Sequence, residues 1–236
     1  MSSANILRIR DKKADKPEAA NYRVKQLGAL FAWAVKHELA KLNPVTGVEK
    51  LSNSSVGYYT WTECDVEKFE AHYPIGSRER LAMAIMLYLG VRRSDAVRLG
   101  PQHENREKGT ITFTAFKGRK KSSKTLTLPI LPPLRAIIDA SEVGETAYLV
   151  TKSGKPHGSG DSFGNWFRDC CRAAGLPDCS PHGLRKAASV RCAEAGASVH
   201  ELMAMFGWDT PSMAMVYTRM AEQRRLASSA AEKLVK

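Results

Sequence analysis

Five side chains that could together bind and attack a phosphodiester are spread along this 236-residue chain: Arg92, His182, Arg185, Trp208 and Tyr217. Two guanidinium groups can clamp phosphate oxygens, an imidazole can transfer a proton near neutral pH, and an indole N–H can donate a further hydrogen bond. A phenol can act as the nucleophile when cations and a base lie near it. These residue types predict an enzyme that cuts nucleic acid with its own side chain, without a metal or another cofactor.

Each member of this set also has an ordinary structural explanation. Arg92 could be a turn arginine paired with Asp95, which is close enough in sequence to reach back toward it or to cap the backbone beside it. His182 and Arg185 project from one face if a helix starts there, but H-x-x-R is a common accident. Tyr217 could be a half-buried tyrosine on an apolar helix face. The order and spacing of the whole set therefore carry more weight than any single residue.

The chain is strongly basic, with 36 Lys and Arg against 24 Asp and Glu, a formal charge of +12 and a pI near 9.6. Such an excess favours a polyanionic partner, because each phosphate that is neutralised releases condensed counterions. Charge alone would also fit a uniformly basic surface, but the basic residues are dense in segments 8–13 and 117–124. This clustering favours a nucleic-acid partner.

Cysteine content and hydropathy narrow the class of protein further. Five cysteines, an odd number without a C-x-x-C pair, are typical of reduced thiols in a cytosolic protein. Cys179 lies three residues before His182, a weak indication of a metal site that lacks a second half. A charged-then-apolar leader and an apolar run near ~20 residues are both missing, which argues against secretion and membrane spanning. We therefore expect a cytoplasmic protein that binds no metal and enters no membrane.

The N-terminal part of the chain predicts a small helical piece followed by a linker. Residues 1–18 are polar and predict a frayed lead-in. Apolar residues then recur at helical spacing over 21–42, and Asn43-Pro44 predicts the end of that helix. Segment 50–57 is polar and rich in small residues, which is typical of a linker. One helix cannot bury its own apolar stripe, so it must pack on the main domain or on helices outside this chain.

The remaining residues predict an α+β domain that is mostly helical and carries one small antiparallel sheet. Thr62 and Asp65 form a capping-box pattern before a short helix. Apolar and hydroxylic residues alternate over 110–116 and 125–130, which predicts two strands joined by a basic segment. Pro129 suits only a strand end or a sheet edge. Further helices are predicted over 77–89, 132–141, 160–174, 182–195, 198–206, 211–217 and from 220 to the end.

The order of these motifs resembles that of the tyrosine recombinase family, the phage-type integrases. The catalytic domain of that family shows G-x-R-x-x-[ED], a hairpin lysine, H-x-x-R, G-[HW] and then a tyrosine. Here Trp208 and Tyr217 keep the family's spacing of nine residues. Most members have His at the position of Trp208, although Cre-like recombinases have Trp there. At the position of Asp95, Glu is the commoner residue in the family. The resemblance implies a catalytic domain over 58–236 and the C-terminal part of a helical core-binding domain over 1–51.

The resemblance also implies a role for each site residue. The catalytic set would be Arg92, Lys117, His182, Arg185, Trp208 and Tyr217, supported by Asp95. Tyr217 would attack and form a 3′-phosphotyrosine, His182 would assist transfer of its proton, and Lys117 would protonate the departing 5′-oxygen. Which hairpin lysine is the general acid stays open. Cationic side chains expected to contact DNA are Arg93, Arg119, Lys120, Lys121, Lys124 and Lys186.

On this resemblance the expected function is integration or excision of a mobile element at double-stranded attachment sites on nucleoid DNA, without a cofactor. A tetramer on DNA and a monomer without DNA are expected. The apolar stripe of the C-terminal helix would dock on a neighbouring protomer or on its own domain. Two alternatives stay open. One is a type IB topoisomerase activity, which uses the same tyrosine chemistry without a partner duplex, and the other is a truncated integrase that binds DNA without cutting it.

Overall fold

The computed structural model describes residues 1–52, 57–116 and 124–234 of the chain. These residues form two compact units, Met1–Gly57 and Tyr58–Lys236. The predicted linker over 50–57 falls partly outside the described residues. Within the described ranges, no helix is both long enough and apolar enough to cross a lipid bilayer.

The first unit contains two helices that pack on each other, α1 (Ser3–Asp11) and α2 (Pro17–Lys36). The prediction of a frayed lead-in over residues 1–18 is therefore wrong. The sequence of α1 is mostly polar, but Ile6 is fully buried where this short helix packs on its neighbour. Tertiary packing of this kind stabilises helices that their own sequence does not predict.

The second helix also ends earlier than predicted. It stops at Lys36, well before Asn43-Pro44. Glu38 takes a positive φ of 59°, and the N–H of Leu39 turns back to the carbonyl of Ala34 at 2.8 Å. This turn satisfies a carbonyl of the last helical turn and closes the helix before the proline can do so.

The helices of the second unit begin where the local sequence caps them. Thr62 and Asp65 form the predicted capping box, Ser77 caps the next helix, and Ser198 forms a further capping box with Glu201. The helices predicted between residues 62 and 206 are confirmed, with ends shifted by a residue or two, and the short helix α5 was not predicted. The helices are α3 (Glu63–His72), α4 (Arg78–Tyr88), α5 (Arg93–Ala96), α6 (Pro132–Asp139), α7 (Gly160–Ala173), α8 (Pro181–Glu194), α9 (Val199–Phe206) and α10 (Pro211–Glu232).

The predicted antiparallel pair is confirmed as β2 (Thr110–Thr114) and β3 (Thr125–Pro129). Apolar side chains of both strands are buried, and the hydroxylic ones between them are mostly exposed. Pro129 ends β3, an edge strand, as expected. A third strand, β1 (Glu104–Asn105), pairs with β2 and was not predicted, because two residues cannot show an alternation. The α+β class, mostly helical with a small antiparallel sheet, is confirmed.

The C-terminal segment forms one continuous helix, α10, where the sequence predicts two. Nothing in residues 217–220 breaks a helix, and Thr218 is buried against the domain, so packing carries the helix through. Tyr217 therefore lies inside a helix rather than at its end. Beyond it, the apolar side chains of Met220 and Leu226 are 55% and 61% exposed. The apolar stripe of the tail is thus on the surface and does not pack on its own domain.

The core of the second unit is built around α4, whose residues 81–87 are all buried. This helix packs on α6 and α8 and is followed by Gly90. Gly90 has a φ of +57°, and a Cβ there would stand 2.3 Å from the ring of Phe206. Only glycine fits this turn, and the turn places Arg92 directly after the core helix.

Candidate active site

A cavity of about 380 Å³ lies between α5, α7 and the start of α8. Four arginines, Arg92, Arg93, Arg168 and Arg185, line it together with the imidazole of His182. Four side chains predicted from the sequence, Arg92, Arg93, His182 and Arg185, thus meet in one site, although the whole sheet and two helices separate α5 from α8 along the chain. A concave site with this concentration of positive charge is suited to a phosphate group.

Arg185 is buried, with 7% of its surface exposed, and its guanidinium joins the ends of two helices. Nη1 donates to the Gly90 carbonyl at 2.5 Å, and Nη2 donates to the Phe206 carbonyl at 2.6 Å. Burial and the positive charge of Arg92 lower the pKa of Arg185 to about 10, so it remains charged at neutral pH. The side chain therefore presents its charge to the cavity in a fixed orientation.

Asp95 does not reach back to Arg92, as the sequence suggested it could. Its buried carboxylate accepts a hydrogen bond from the N–H of Phe116 at 2.7 Å. This bond ties the segment that carries Arg92 to the residues following β2, where the basic segment begins. Among the described residues, no hydrogen bond or ion pair engages the Arg92 guanidinium, which leaves it available to a ligand.

His182 lies in the first turn of α8 and lines the cavity. Its imidazole packs on the ring of Tyr58, with the ring centres 4.7 Å apart and the planes tilted by 51°. Partial burial and the positive charges of Arg185 and Lys186 lower the pKa of His182 below its usual value of 6.5. The imidazole is therefore mostly neutral near pH 7, the form that accepts a proton.

Trp208 and Tyr217 form a stacked pair next to Arg185, but neither ring lines the cavity. Their rings are 5.5 Å apart and within 3° of parallel, and Trp208 stacks in turn on Phe206 at 5.0 Å. The guanidinium carbon of Arg185 lies 5.8 Å from the centre of the Trp208 ring. Burial raises the pKa of the Tyr217 phenol above its usual value, while the positive charge of Arg185 acts in the opposite direction. The candidate nucleophile is thus half-buried beside the cavity.

The cations that we predicted to contact DNA have different surroundings. Arg93 lines the cavity and forms an ion pair with Asp161 of α7. Lys186 donates to the backbone carbonyl of Tyr58 at 2.7 Å. Four further predicted cations lie outside the described residues: Lys117, Arg119, Lys120 and Lys121.

Lys124 connects β3 to the loop that carries Trp208. Its ammonium group donates to the Trp208 carbonyl at 2.9 Å and pairs with the Asp209 carboxylate at 3.3 Å. Gly207 permits this close approach, since it has a φ of +61° and a Cβ there would stand 2.9 Å from Leu126. A lysine that the sequence assigned to a phosphate contact is therefore engaged with the protein itself.

Three residues at the site were missed by the sequence analysis: Tyr58, Arg168 and Ser189. Ser189 is buried and donates to the Arg185 carbonyl at 2.9 Å. Its position four residues after Arg185 places both on one face of α8, a spacing that could have indicated it. Arg168 belongs to a helix that was predicted, but no pattern links Tyr58 to His182, which lies far away in sequence.

Cys179 and His182 were a weak indication of a metal site in the sequence. Cys179 is buried, and burial raises the pKa of its thiol to about 12. Across the described ranges, no cluster of three or more His, Cys, Asp or Glu side chains is placed to hold a metal ion. The weak indication from Cys179 and His182 therefore gains no further ligand.

The Phage integrase family model matches residues 65–224, more than half of the chain and every site residue from Arg92 to Tyr217. The chain therefore belongs to the phage integrase family of tyrosine recombinases. The integrase of Mycobacterium phage L5 is 27% identical over 244 residues, which cover 93% of this chain and 64% of the phage protein. The integrase of Mycobacterium phage D29 is 30% identical over 234 residues, which cover 89% and 60%. The chain thus spans less than two thirds of the length of these two relatives.

A solved structure with the same fold is that of a lambda integrase fragment, determined as a dimer bound to a COC′ core site. The TM-score is 0.75 with 17% identity, and the match covers 90% of this chain and 81% of the lambda chain. At this level of identity the likeness establishes the shared fold and nothing more specific.

Proposed function

We propose that this chain is a site-specific DNA recombinase that cuts and rejoins double-stranded DNA through a covalent 3′-phosphotyrosine. The observation that supports the proposal is the convergence of Arg92, His182 and Arg185 on one cationic cavity beside Tyr217. Since the relatives are phage integrases, the expected reaction is integration or excision of a mobile element at attachment sites on nucleoid DNA. Region 58–236 would be the catalytic domain, and residues 1–51 the end of a core-binding domain.

In the cleavage step, Arg92 and Arg185 hold the non-bridging oxygens of the scissile phosphate and stabilise the charge that develops on them. The phenol oxygen of Tyr217 attacks phosphorus, and its proton passes to the neutral imidazole of His182. The bond from phosphorus to the 5′-oxygen breaks, and that oxygen takes a proton from Lys117. One phosphodiester is replaced by one phosphotyrosine ester, so a 5′-hydroxyl from a partner duplex can reverse the step without a cofactor.

The nucleophile must move toward the cavity for this step, because Tyr217 packs beside it in the structure. The described part of α10 buries few of its side chains, chiefly Ala214 and Thr218. Val216, next to Tyr217, is 56% exposed. Most side chains of this helix are exposed, and we propose that a shift of the helix brings the phenol to a bound phosphate. The indole N–H of Trp208 would then donate to the same phosphate.

The tail of α10 supports a role for neighbouring protomers. Its apolar side chains lie on the surface, where they offer a stripe that one protomer leaves uncovered. We propose that this stripe docks on the next protomer of a tetramer assembled on DNA, and that the chain is a monomer without DNA. Docking of the helix that carries Tyr217 would couple cleavage to assembly.

Covalent capture tests the proposal. Fragmented host DNA is incubated with the protein, and SDS-stable adducts are isolated and sequenced to locate a cleavage site. A duplex of that site, nicked near the cleavage point, then traps the intermediate. Wild type and the control Tyr22→Phe, at an exposed tyrosine of the first unit, should form the adduct, and Tyr217→Phe should form none. An adduct that persists in Tyr217→Phe would refute the role of this tyrosine.

The same experiment separates the alternatives. A wild-type protein that retains DNA fragments but forms no SDS-stable adduct under any condition would be a non-catalytic DNA-binding protein. Relaxation of a supercoiled plasmid that lacks the captured site would indicate a type IB topoisomerase activity. The recombinase proposal requires adduct formation and strand transfer to a second duplex carrying the site, without relaxation of the unrelated plasmid.

A further inference from the structure

The first residues of the second unit, 58–61, are bonded to the start of α8. The indole Nε1 of Trp61 donates to the Ser180 carbonyl at 3.0 Å, a buried hydrogen bond. At the other end of the segment, Nζ of Lys186 donates to the Tyr58 carbonyl at 2.7 Å. These two bonds hold the segment across the first turn of α8, the turn that carries His182.

Between these two hydrogen bonds, the backbone of segment 58–61 packs directly on the backbone of α8. A Cβ at Gly183 would stand 2.3 Å from the carbonyl oxygen of Tyr59, so the two backbones are in direct contact. This contact fixes the position of the neighbouring Tyr58. Its ring lines the cavity and faces the imidazole of His182 at 4.7 Å, although 56% of the residue is exposed.

The ring of Tyr58 differs from the charged groups near His182, which are cations. Arg92, Arg93, Arg185 and Lys186 act on the imidazole through their charge, and Arg168 lines the same cavity. Cations disfavour a protonated imidazole, but they do not orient a neutral one. An aromatic ring packed against the imidazole restricts its rotation and removes water from that side, which also favours the neutral form.

We propose that Tyr58 is a positioning residue, whose ring holds the imidazole of His182 in the orientation and the neutral state that accept the proton of Tyr217. The inference rests on the cleavage reaction proposed above. No residue in the described ranges hydrogen bonds to the Tyr58 hydroxyl, so the ring carries the role. Tyr58 acts through His182 and does not itself touch the reacting atoms.

The test replaces the ring and follows His182 directly. Tyr58→Leu removes the aromatic face, Tyr58→Phe retains it, and Tyr59→Leu is the matched control at the adjacent exposed tyrosine, whose hydroxyl bonds to Asp65. NMR titration of the His182 imidazole, assigned by its loss in His182→Gln, should show in Tyr58→Leu a lost ring-current shift and a pKa closer to 6.5. The adduct-forming rate on the nicked duplex should fall about 2- to 10-fold, the range expected for loss of one aromatic contact.

Tyr58→Phe and Tyr59→Leu should titrate and cleave like wild type. If Tyr58→Leu is folded and shows the wild-type His182 titration, or an unchanged pH profile of cleavage, the positioning role is refuted. If wild type itself forms no adduct, the proposed function fails, but the titration still shows whether the Tyr58 ring controls the imidazole. A rate loss in Tyr58→Leu without any change at His182 would show that Tyr58 serves DNA binding instead.

Discussion

Replacement of Arg92 or Arg185 by lysine should abolish most cleavage, but only Arg185→Lys should weaken the fold. Arg185 bridges the Gly90 and Phe206 carbonyls at 2.5 and 2.6 Å while almost fully buried. A lysine has a point charge and cannot reproduce the fork that reaches both carbonyls. One buried acceptor then loses its partner, which costs about 1–3 kcal/mol. Among the described residues, the Arg92 guanidinium makes no comparable hydrogen bond to the protein. Arg92→Lys should therefore change the free energy of unfolding by less than about 0.5 kcal/mol.

Urea denaturation followed by tryptophan fluorescence measures the difference, because Trp61, Trp166 and Trp208 report on the second unit. Adduct formation should fall about 100- to 1000-fold in both variants, the usual cost of losing a preorganised contact to developing charge. Equal unfolding free energies for the two variants would refute the structural role of Arg185. Full cleavage by Arg92→Lys would refute the phosphate clamp.

Three further perturbations follow from single contacts. Lys124→Met removes the bond to the Trp208 carbonyl, so the adduct rate should fall while DNA affinity holds; a loss of affinity alone would indicate a phosphate contact. Gly183→Ala forces a Cβ to 2.3 Å from the Tyr59 carbonyl oxygen and should lower the free energy of unfolding by about 1–3 kcal/mol. An unchanged melting temperature would contradict this prediction. Because the pKa of His182 is lowered and the base must be neutral, the adduct rate should rise with pH and reach half-maximum below pH 6.5. His182→Gln should lack this rise with pH.

Much of the fold is readable from the sequence because its signals are local. Thr62 and Asp65 predict a capping box that forms as expected, and the alternation in residues 110–116 predicts a strand that forms over Thr110–Thr114. Local signals fail where packing decides. Ile6 stabilises a helix that looks like a polar lead-in, and burial of Thr218 carries α10 past its predicted break.

The sequence by itself determines which residues are candidates for the chemistry, since residue types and spacing select Arg92, His182, Arg185, Trp208 and Tyr217. Tertiary structure alone decides how these groups are held. No spacing indicates that Arg185 bridges two helix ends or that Asp95 bonds beyond β2. The spacing of residues in the sequence also does not show that the ring of Tyr58 faces the imidazole of His182. These contacts join segments far apart in the chain, and such pairings depend on packing that short-range patterns do not encode.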